Sequence, residues 1–373
     1  MANDVNKVLV IGGGFSGMVA AISMKRKGLD VDLIEISPDW RREGAGISLG
    51  GSTMRLFDQL GMMADFEKVG ASHSGIHMRG PDDQIVAELP TPSLSEGAPG
   101  VGGAMRPAMG KMLSDAVLAE GVNVRLGTSY TDIDVDGGTV TFSDGTSATY
   151  DLIVAADGFW SKTREMLFPD APKAKFVKQV VWRAVVERPA HLPTVTMWMG
   201  PRLKAGINHV SPTHSYLFLT EDKAENTPAD PENFVPDLKA LLKKFPSPTL
   251  QAVAEGVGPQ SQIDYRALEN LILPAPWHKG RVVLIGDAVH ATTPHLASGA
   301  LMGMEDGYVL AEELADKPTR EEALTAFTDR RFERCRMVVE NSGRLAEIEV
   351  EGGDHQEHGN IMRESNMALA QPI

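Results

Sequence analysis

Hydrophobic and polar positions near the start of the chain follow the order strand, glycine-rich turn, helix, strand. Residues 8–11 form a short run rich in β-branched side chains, and glycines and a helical pattern of apolar positions follow it up to Gly28. A second apolar run comes next at residues 31–36. A strand–turn–helix–strand unit of about 30 residues is typical of the first part of a parallel sheet. The pattern therefore predicts an α/β domain at the N-terminus.

Beyond residue 70 this pattern is interrupted and later returns. Residues 72–100 are rich in Gly, Pro and Ser, and residues 176–220 alternate in hydrophobicity as antiparallel strands do. Residues 319–350 read as a charged helix, for which we predict a solvated amphipathic face, with a dimer contact as the alternative. We predict a discontinuous nucleotide-binding domain formed by residues 1–71, 101–175 and 265–350, an inserted substrate domain formed by 72–100 and 176–264, and a C-terminal tail at 351–373.

Composition and charge narrow the classes of protein that the chain can represent. With 373 residues, 42% hydrophobic and 23% charged, it is typical of folded globular proteins rather than disordered ones. The formal net charge of −14 disfavours nucleic acid as a partner. No apolar run approaches the ~18 residues of a membrane-spanning helix, and the single cysteine, Cys335, excludes an internal disulfide. We expect a cytoplasmic monomer or homodimer without an integral membrane segment.

The glycine-rich turn satisfies the pattern GxGxxG. Gly12 permits a tight turn, Gly14 lets the backbone approach a pyrophosphate, and Gly17 lets helix and strand pack closely. Glu35 follows at the end of the second predicted strand, where an acidic side chain can bind a ribose hydroxyl. The alternative is a glycine-rich turn without a ligand. The motif predicts a dinucleotide site but does not decide between FAD and NAD.

Two later motifs follow predicted strands. Asp157 and Gly158 come after the strand at 151–156, and on their own they indicate no more than a turn. Gly286 and Asp287 end the strand at 282–285 and are followed by Pro294 and the start of a helix. An acidic side chain at the carboxyl end of a strand can hold a polyol hydroxyl, and a helix N-terminus stabilises negative charge.

Together, GGGFSG, ADG and GDAVHATTPHLASGA resemble the motifs of the single-component (group A) FAD-dependent aromatic hydroxylases, the para-hydroxybenzoate-hydroxylase-like family. Within it the chain is most similar to the compact hydroxylases of N-heteroaromatic rings and urate. The resemblance implies an α/β fold: a Rossmann-like FAD-binding domain, an inserted, mainly antiparallel β-sheet substrate domain and a C-terminal helical segment. It also implies an enzyme that uses NADPH or NADH and O₂ to hydroxylate a small aromatic or N-heteroaromatic substrate through a flavin C4a-hydroperoxide.

The resemblance assigns cofactor-binding roles along the whole chain. The glycine motif holds the FAD pyrophosphate, Glu35 the adenosine ribose and Asp287 the ribityl chain, and the backbone at 297–301 faces the flavin ring. The full set of implied FAD-binding residues is Gly12, Gly14, Phe15, Ser16, Gly17, Glu35, Ile36, Arg42, Ser48, Arg106, Tyr130, Asp157, Gly286, Asp287, Pro294, Ala297, Ser298, Gly299, Ala300 and Leu301.

Residues that ionise or orient the ring come from the segments around the predicted pocket. We expect His295 as the leading acid or base, followed by Tyr216 and Arg183. The alternative is a structural hydrogen bond to the loop backbone for His295, a core position for Tyr216 and a solvated or sheet-edge position for Arg183. Substrate contacts are predicted for Arg202, Asn208 and His209, for which a solvated or sheet-edge position is the alternative.

Several alternatives stay open at this point. Many members of the family carry a Pro-Asn pair after Gly46-Ile47, where this chain has residues 49–52. Members often have Gln-Gly where this chain has Ser298-Gly299. Both differences weaken any substrate assignment. The sequence contains no second GxGxxG motif that would reveal a nicotinamide-binding site, so it does not decide between NADH and NADPH. The histidines show no metal-ligand spacing, so no metal site is predicted. The alternative functions are an FAD-dependent reductase, a hydroxylase of a larger polycyclic natural product, or a non-catalytic flavin-binding protein.

Overall fold

The structure is a computed structural model that describes residues 4–40, 44–96, 98–200 and 202–373. The strands, numbered in chain order, are β1 (Lys7–Ile11), β2 (Asp30–Glu35), β3 (Gly46–Gly50), β4 (Gly70–His73), β5 (Ile76–Arg79), β6 (Ile85–Leu89), β7 (Val101–Met105), β8 (Asn123–Leu126), β9 (Tyr130–Ile133), β10 (Thr139–Phe142), β11 (Ser147–Thr149), β12 (Leu152–Ala155), β13 (Lys175–Glu187), β14 (Val195–Gly200), β15 (Leu203–His209), β16 (His214–Asp222), β17 (Asp264–Asn270), β18 (His278–Lys279) and β19 (Val282–Leu284). The α-helices are α1 (Phe15–Arg26), α2 (Gly51–Gln59), α3 (Met63–Val69), α4 (Arg106–Ala119), α5 (Lys162–Leu167), α6 (Phe234–Leu242), α7 (Pro248–Gly256), α8 (Gly299–Asp316), α9 (Arg320–Glu351) and α10 (His355–Ala370).

A six-stranded sheet forms the centre of the nucleotide-binding domain. Its strands lie in the order β18-β19-β12-β1-β2-β8. β1 pairs in parallel with β2 and with β12, and β12 pairs in parallel with β19. The central strands are runs of Val, Leu and Ile buried on both faces, as in parallel sheets covered by helices. The predicted parallel sheet is confirmed, and the carboxyl ends of β1, β12 and β19 lie side by side at one edge.

A seven-stranded sheet forms the substrate domain, in the order β17-β13-β16-β15-β14-β5-β6. Its pairs are antiparallel except β14 with β5. One face packs on α6 and α7 around the buried Trp182, Trp198 and Leu238. The opposite side meets the nucleotide-binding domain at Gly46, where a built Cβ would lie 2.4 Å from Cβ of Tyr216. The inserted, mainly antiparallel sheet is confirmed.

Two boundaries differ from those predicted for the domains. The sequence predicts that residues from 265 onward belong to the nucleotide-binding domain, but β17 is an edge strand of the substrate sheet. Only Leu268 of its seven residues is buried, so its hydrophobic pattern is too weak to reveal the pairing. Residues 72–73 are predicted to begin the substrate domain, but they end β4, which pairs with β7 beside β3 in a separate small sheet.

The C-terminal residues form a docked helix, α10, where the sequence predicts a tail. Ser52 Oγ donates a hydrogen bond to the carbonyl of Leu369 at 2.8 Å. The guanidinium groups of Arg55 and Arg334 donate to the carbonyls of Ala370 (2.7 Å) and Ala368 (2.9 Å). These cations satisfy the carbonyl groups that a helix leaves unpaired at its C-terminus.

Helices α1 and α8 pack against each other at unusually short range because glycines line the contact. A Cβ built on Gly303 would lie 2.0 Å from Oγ of Ser16, and one built on Gly307 would lie 2.5 Å from the backbone nitrogen of Ala20. From the pair Ser16–Gly303 to the pair Ala20–Gly307, both helices move four residues toward their C-termini, so they run in the same direction. Their N-termini therefore point toward the same edge of the parallel sheet. None of the helices in the described ranges is long and apolar enough to cross a membrane.

Candidate active site

The glycine-rich turn between β1 and α1 is closed by backbone contacts on one side and open on the other. Gly12 has φ +105°, and its Cβ would lie 2.4 Å from the carbonyl oxygen of Ala156; a Cβ on Gly17 would lie 2.0 Å from the carbonyl oxygen of Gly12. A Cβ on Gly14 meets no described residue within 4 Å. Gly12 and Gly17 allow the turn to close, and Gly14 leaves space in front of the first N–H groups of α1.

Glu35 at the end of β2 braces this turn. Its Oε2 accepts a hydrogen bond from the backbone N–H of Gly13 at 2.7 Å, and its Oε1 accepts one from Ser37 at 2.8 Å. Trp40 Nε1 donates to the carbonyl of Gly13 at 2.9 Å. Ile36 is 69% exposed beside this carboxylate. Arg42, also predicted at the cofactor, lies outside the described residues.

Asp157 organises the loop that follows β12. Its carboxylate accepts hydrogen bonds from Oγ of Ser161 (2.6 Å) and from Oγ1 of Thr163 (2.8 Å), and the Thr163 hydroxyl also contacts the Tyr130 hydroxyl at 2.9 Å. Arg164 in the next turn donates to the carbonyl of Ala288 at 3.0 Å. The structure thus brings Asp157 and Tyr130 together and connects their loop to the turn that carries Asp287.

Asp287 follows β19 at the sheet edge toward which the N-termini of α1 and α8 point. We call the surface bordered by Gly14, Asp287 and Gly299 the groove. Its side chain is exposed, yet protein surrounds it closely enough that burial raises the pKa of its carboxyl group, with the cations His290 and Arg106 opposing that shift. It forms no hydrogen bond with any described residue. Gly286 before it has φ +65°, and a Cβ there would lie 2.6 Å from Oγ of Ser16. Asp287 is therefore an acceptor available to a ligand.

The start of α8 forms the next part of the groove. Ala297 has φ +49°, and the exposed Pro294 precedes it. Oγ of Ser298 donates to the carbonyl of Leu296 at 2.7 Å, so it does not cap the helix. The backbone N–H groups at 299–301 have no acceptor within the helix and stay available for an anionic or carbonyl group.

A fully buried ionic cluster lies beneath this groove. Arg331 donates to Asp306 Oδ1 at 2.8 Å and to Glu305 Oε2 at 2.7 Å, and Asp306 Oδ2 accepts from Gly286 N at 2.9 Å and contacts His290 Nε2 at 2.5 Å. The predicted solvated face of α9 carries exposed charges such as Glu333 and Arg336, whereas Arg331 lies on the buried face of this helix and pairs there with both carboxylates. The cluster fixes the Gly286 turn onto α8 and α9.

The same cluster contains a group of potential metal ligands. His290, Asp306 and Cys335 offer atoms that all lie within 4.8 Å of one another. Arg331 already pairs with Asp306, and its Nη2 lies 3.5 Å from Sγ of Cys335. A guanidinium group in this position supplies the positive charge that a metal ion would otherwise bring.

Arg106, Arg183 and Tyr216 meet where the substrate sheet reaches the groove. Arg183 Nε donates to the Tyr216 hydroxyl at 3.1 Å, and its Nη1 lies 3.3 Å from Asp264 Oδ2. Arg106 is exposed to the groove, and its pKa is lowered by burial first and then by the neighbouring Arg183 cation, while Tyr216 and Asp287 raise it. Two predicted catalytic residues are thus hydrogen-bonded to each other beside two predicted cofactor residues.

Ser48 is oriented by Asn208. Nδ2 of Asn208 lies 3.1 Å from the carbonyl oxygen of Gly102, which can only accept, so the amide nitrogen must face Gly102 and Ser48. It donates to Ser48 Oγ at 2.9 Å, and Oδ1 accepts from His73 Nε2 at 3.0 Å. The Ser48 hydroxyl is therefore left with its proton free to donate to a ligand.

The predicted substrate residues lie elsewhere than expected. Asn208 and His209 are completely buried, and His209 is held by Oγ of Ser215 at 2.8 Å and the carbonyl of Leu192 at 2.7 Å. Arg202 is 71% exposed and pairs with Asp222 at 2.9 Å. In this structure Asn208 acts through Ser48, and neither His209 nor Arg202 faces the groove. Alternation of polar positions in a strand does not distinguish a pocket wall from a satisfied core position.

His295 is likewise turned away from the groove. Its side chain is 1% exposed, its Nδ1 lies 2.9 Å from Oγ1 of Thr293, and its Nε2 lies 2.9 Å from Oε1 of Gln179. Burial, followed by the Lys204 cation, lowers the pKa of its imidazole. The geometry matches the alternative of a structural hydrogen bond, although with side chains rather than with the loop backbone.

The groove fits FAD on three counts. Space in front of Gly14 and the N-terminus of α1 suits a pyrophosphate. The side chains of Asp287 and Arg106, both exposed to the groove, form no hydrogen bond within the described part of the chain, so they are free to bind polar groups of a ligand. The free N–H groups of α8 suit the electron-rich edge of a flavin ring. FAD would therefore extend from the glycine-rich turn, past Asp287, to the start of α8.

Comparison with known proteins agrees with this geometry. Residues 6–342 match the FAD binding domain family. The chain is 30% identical to the 2-heptyl-3-hydroxy-4(1H)-quinolone synthase of Pseudomonas aeruginosa, over 92% of this chain and 90% of the other. It is 27% identical to the FAD-dependent urate hydroxylase of Klebsiella pneumoniae, over 94% and 92% of the two chains.

Solved structures give the same result. HpxO of Klebsiella pneumoniae complexed with FAD and uric acid superposes with a TM-score of 0.82 at 25% identity, covering 98% of this chain and 93% of that one. The tetrameric form of 2-methyl-3-hydroxypyridine-5-carboxylic acid oxygenase gives a TM-score of 0.82 at 26% identity, covering 98% and 96%. The chain therefore belongs to the FAD binding domain family and is an FAD-dependent monooxygenase of the group A class.

Proposed function

We propose that the chain uses NADH or NADPH and O₂ to hydroxylate a small aromatic or N-heteroaromatic ring that carries an ionisable hydroxyl or NH group. The observation that carries this proposal is the Arg183–Tyr216 hydrogen bond beside Arg106 and Asp287. It puts a phenol and two cations where the substrate sheet meets the cofactor groove. The names of three relatives, a 2-heptyl-3-hydroxy-4(1H)-quinolone synthase, a urate hydroxylase and a 6-hydroxynicotinate 3-monooxygenase, support a heteroaromatic substrate.

FAD, when bound, accepts the hydride and activates O₂; the protein must orient the ring and control its protonation. Because Tyr216 accepts from Arg183 Nε, its own O–H stays available to donate to an acceptor atom of the ring. Arg183 and Arg106 favour the ionised form of the ring, which is the more electron-rich form. The hydrophobic residues Ala45 and Val185, which pack with Tyr216, exclude water from this side.

The test follows flavin absorbance anaerobically after NADH or NADPH is added, with and without a panel of phenols, hydroxypyridines and purine-like rings. We expect one ring class to accelerate flavin reduction and, in air, to yield a product heavier by one oxygen atom. Fast reduction without any ring favours a reductase. Acceleration only by polycyclic compounds favours the larger-substrate alternative, and a protein that never retains flavin refutes the proposal.

A variant pair tests the role of the arginine. Arg183→Met removes a charge-assisted hydrogen bond worth about 1.5–3 kcal/mol, so kcat/KM for the ionisable ring should fall by about 10- to 150-fold. Arg266→Met is the control, because Arg266 pairs with the same Asp264 at 3.1 Å but is 68% exposed. Equal kinetics for the two variants would show that Arg183 does not act on the ring.

A further inference from the structure

The carboxylate of Glu349, near the end of α9, joins the substrate sheet to the loop that precedes α8. The Glu349 side chain is only 10% exposed. Its Oε1 accepts from Lys204 Nζ at 2.6 Å and from His358 Nε2 at 3.1 Å. Its Oε2 lies 3.4 Å from Gln179 Nε2 and 3.4 Å from His295 Nε2. One side chain thus contacts β13, β15, α10 and the loop at 293–298.

The orientation of Gln179 follows from its two acidic neighbours. Its Nε2 faces Glu349 Oε2 and lies 3.1 Å from Asp222 Oδ1. Ionised carboxylates only accept hydrogen bonds, so the amide nitrogen must be on this side. Oε1 of Gln179 is consequently directed at His295 and requires a donor there.

This requirement fixes the tautomer of His295. Nε2 must carry the proton, because both oxygens that it faces, Gln179 Oε1 and Glu349 Oε2, are acceptors. Burial keeps the ring neutral by lowering its pKa, so Nδ1 is unprotonated and accepts from Oγ1 of Thr293. Both ring nitrogens are therefore occupied, and no lone pair of His295 is available to a substrate.

Among the described residues, the hydrogen bond from His295 Nε2 to Gln179 is the only one that ties residues 293–298 to the substrate sheet. The other hydrogen bonds of this loop are local or lead into α8 itself: Ala297 N donates to Pro294 O, Ser298 Oγ to Leu296 O, and Met302 N to Ser298 O. The loop leads directly into the N-terminus of α8. Its position therefore depends on whatever orients His295.

We propose that Glu349 is a positioning residue that, through Gln179 and His295, holds the loop at 293–298 and the start of α8 in place against bound FAD. The proposal rests on the proposed function only in requiring the flavin ring at the start of α8. Lys204 neutralises the carboxylate locally, so the cluster carries out this role without leaving an unpaired buried charge.

The experiment compares the FAD-loaded Glu349→Gln and Gln179→Leu variants with Glu313→Gln. Gln179→Leu keeps the Lys204–Glu349 pair but removes the connection to His295. Glu313→Gln is the matched control, because Glu313 is 9% exposed and ion-paired with Arg330 at 2.7 Å but belongs to the far end of α8. The readouts are the visible circular dichroism of the flavin, the dissociation constant for FAD and the ring-nitrogen chemical shifts of His295.

We expect both test variants to change the flavin circular dichroism and to weaken FAD binding at least fivefold, while Glu313→Gln matches the wild type. If Glu349→Gln does not fold, Gln179→Leu decides the question. A wild-type His295 protonated at Nδ1, or test variants that bind FAD like the control, overturn the inference and leave the proposed function untouched. A wild-type protein that binds no FAD overturns both.

Discussion

Replacing Gly307 by alanine tests whether the close approach of α1 and α8 builds the cofactor groove. The new Cβ would lie 2.5 Å from N, 2.8 Å from Cα and 3.0 Å from Cβ of Ala20. Carbon atoms pack at about 3.5–4.0 Å, so the helices must separate by about 1 Å. Two of the three contacts are with backbone, which cannot move aside as the end of a side chain can.

Two opposing effects set the size of the change. An alanine inside a helix gains about 0.5–1 kcal/mol over glycine, whereas overpacking costs about 1–3 kcal/mol. Because the clash is with backbone, we place the cost in the upper half of that range and expect a net loss of about 1–2.5 kcal/mol. Urea unfolding of the FAD-free protein measures it. Titration with FAD should show weaker binding, because separating the helices displaces both N-termini.

Gly359→Ala is the matched control. Gly359 lies inside α10, and a Cβ there meets no atom of the described residues within 4 Å, so only the helix-propensity gain remains. The two substitutions should therefore change the free energy of unfolding in opposite directions. If Gly307→Ala stabilises the protein as Gly359→Ala does, the packing reasoning for α1 and α8 is wrong.

Three further predictions concern buried charge, pH and the cofactor. Arg331→Met removes the cation shared by the buried carboxylates of Asp306 and Glu305, which keep only His290 and Arg334 as partners. It should cost about 3 kcal/mol in urea unfolding, the lower end of the range for a broken buried ion pair, whereas the partly exposed Arg336→Met should change little; equal losses would contradict this. Burial lowers the pKa of His209 to about 4, so only the unfolded chain takes up its proton as pH falls from about 6.5. Stability should fall over that range, and His209→Gln should flatten that part of the unfolding profile; an unchanged profile speaks against a neutral buried ring. Asp287→Asn should weaken FAD binding about tenfold or more in a fluorescence titration without lowering the stability of the FAD-free protein, and unaltered FAD affinity would exclude Asp287 from the site.

Motifs of glycine and acidic residues were readable from the sequence because their chemistry is local. Gly12 and Gly17 are required by contacts with residues close to them in the sequence or on the adjoining strand, and Glu35 ends the next strand in the same unit. The order of the three motifs also indicated the family, and the comparisons confirm it. The assigned roles of the individual cofactor residues stay predictions.

Long-range partners were not readable in the same way. Arg331 is a charged position on an amphipathic pattern, and only Glu305 and Asp306 on α8 make it a buried residue. His295 and Asn208 are polar residues in pocket-forming segments, and their hydrogen bonds turn them into supports for other side chains. No sequence spacing connects His295 to Gln179 or Glu349, which come from distant parts of the chain.

The sequence by itself determined the parallel sheet, the inserted antiparallel sheet and the glycine-rich turn, because short-range hydrophobic periodicity and turn geometry specify these features. The class of cofactor followed from the family resemblance that the three ordered motifs carry. Only the tertiary structure decided which polar side chains face the groove. A histidine, an asparagine or an arginine has the same local pattern whether it contacts a ligand or another side chain. Its role is set by acceptors and charges that the fold brings within hydrogen-bonding distance, as Glu349 and Gln179 do for His295.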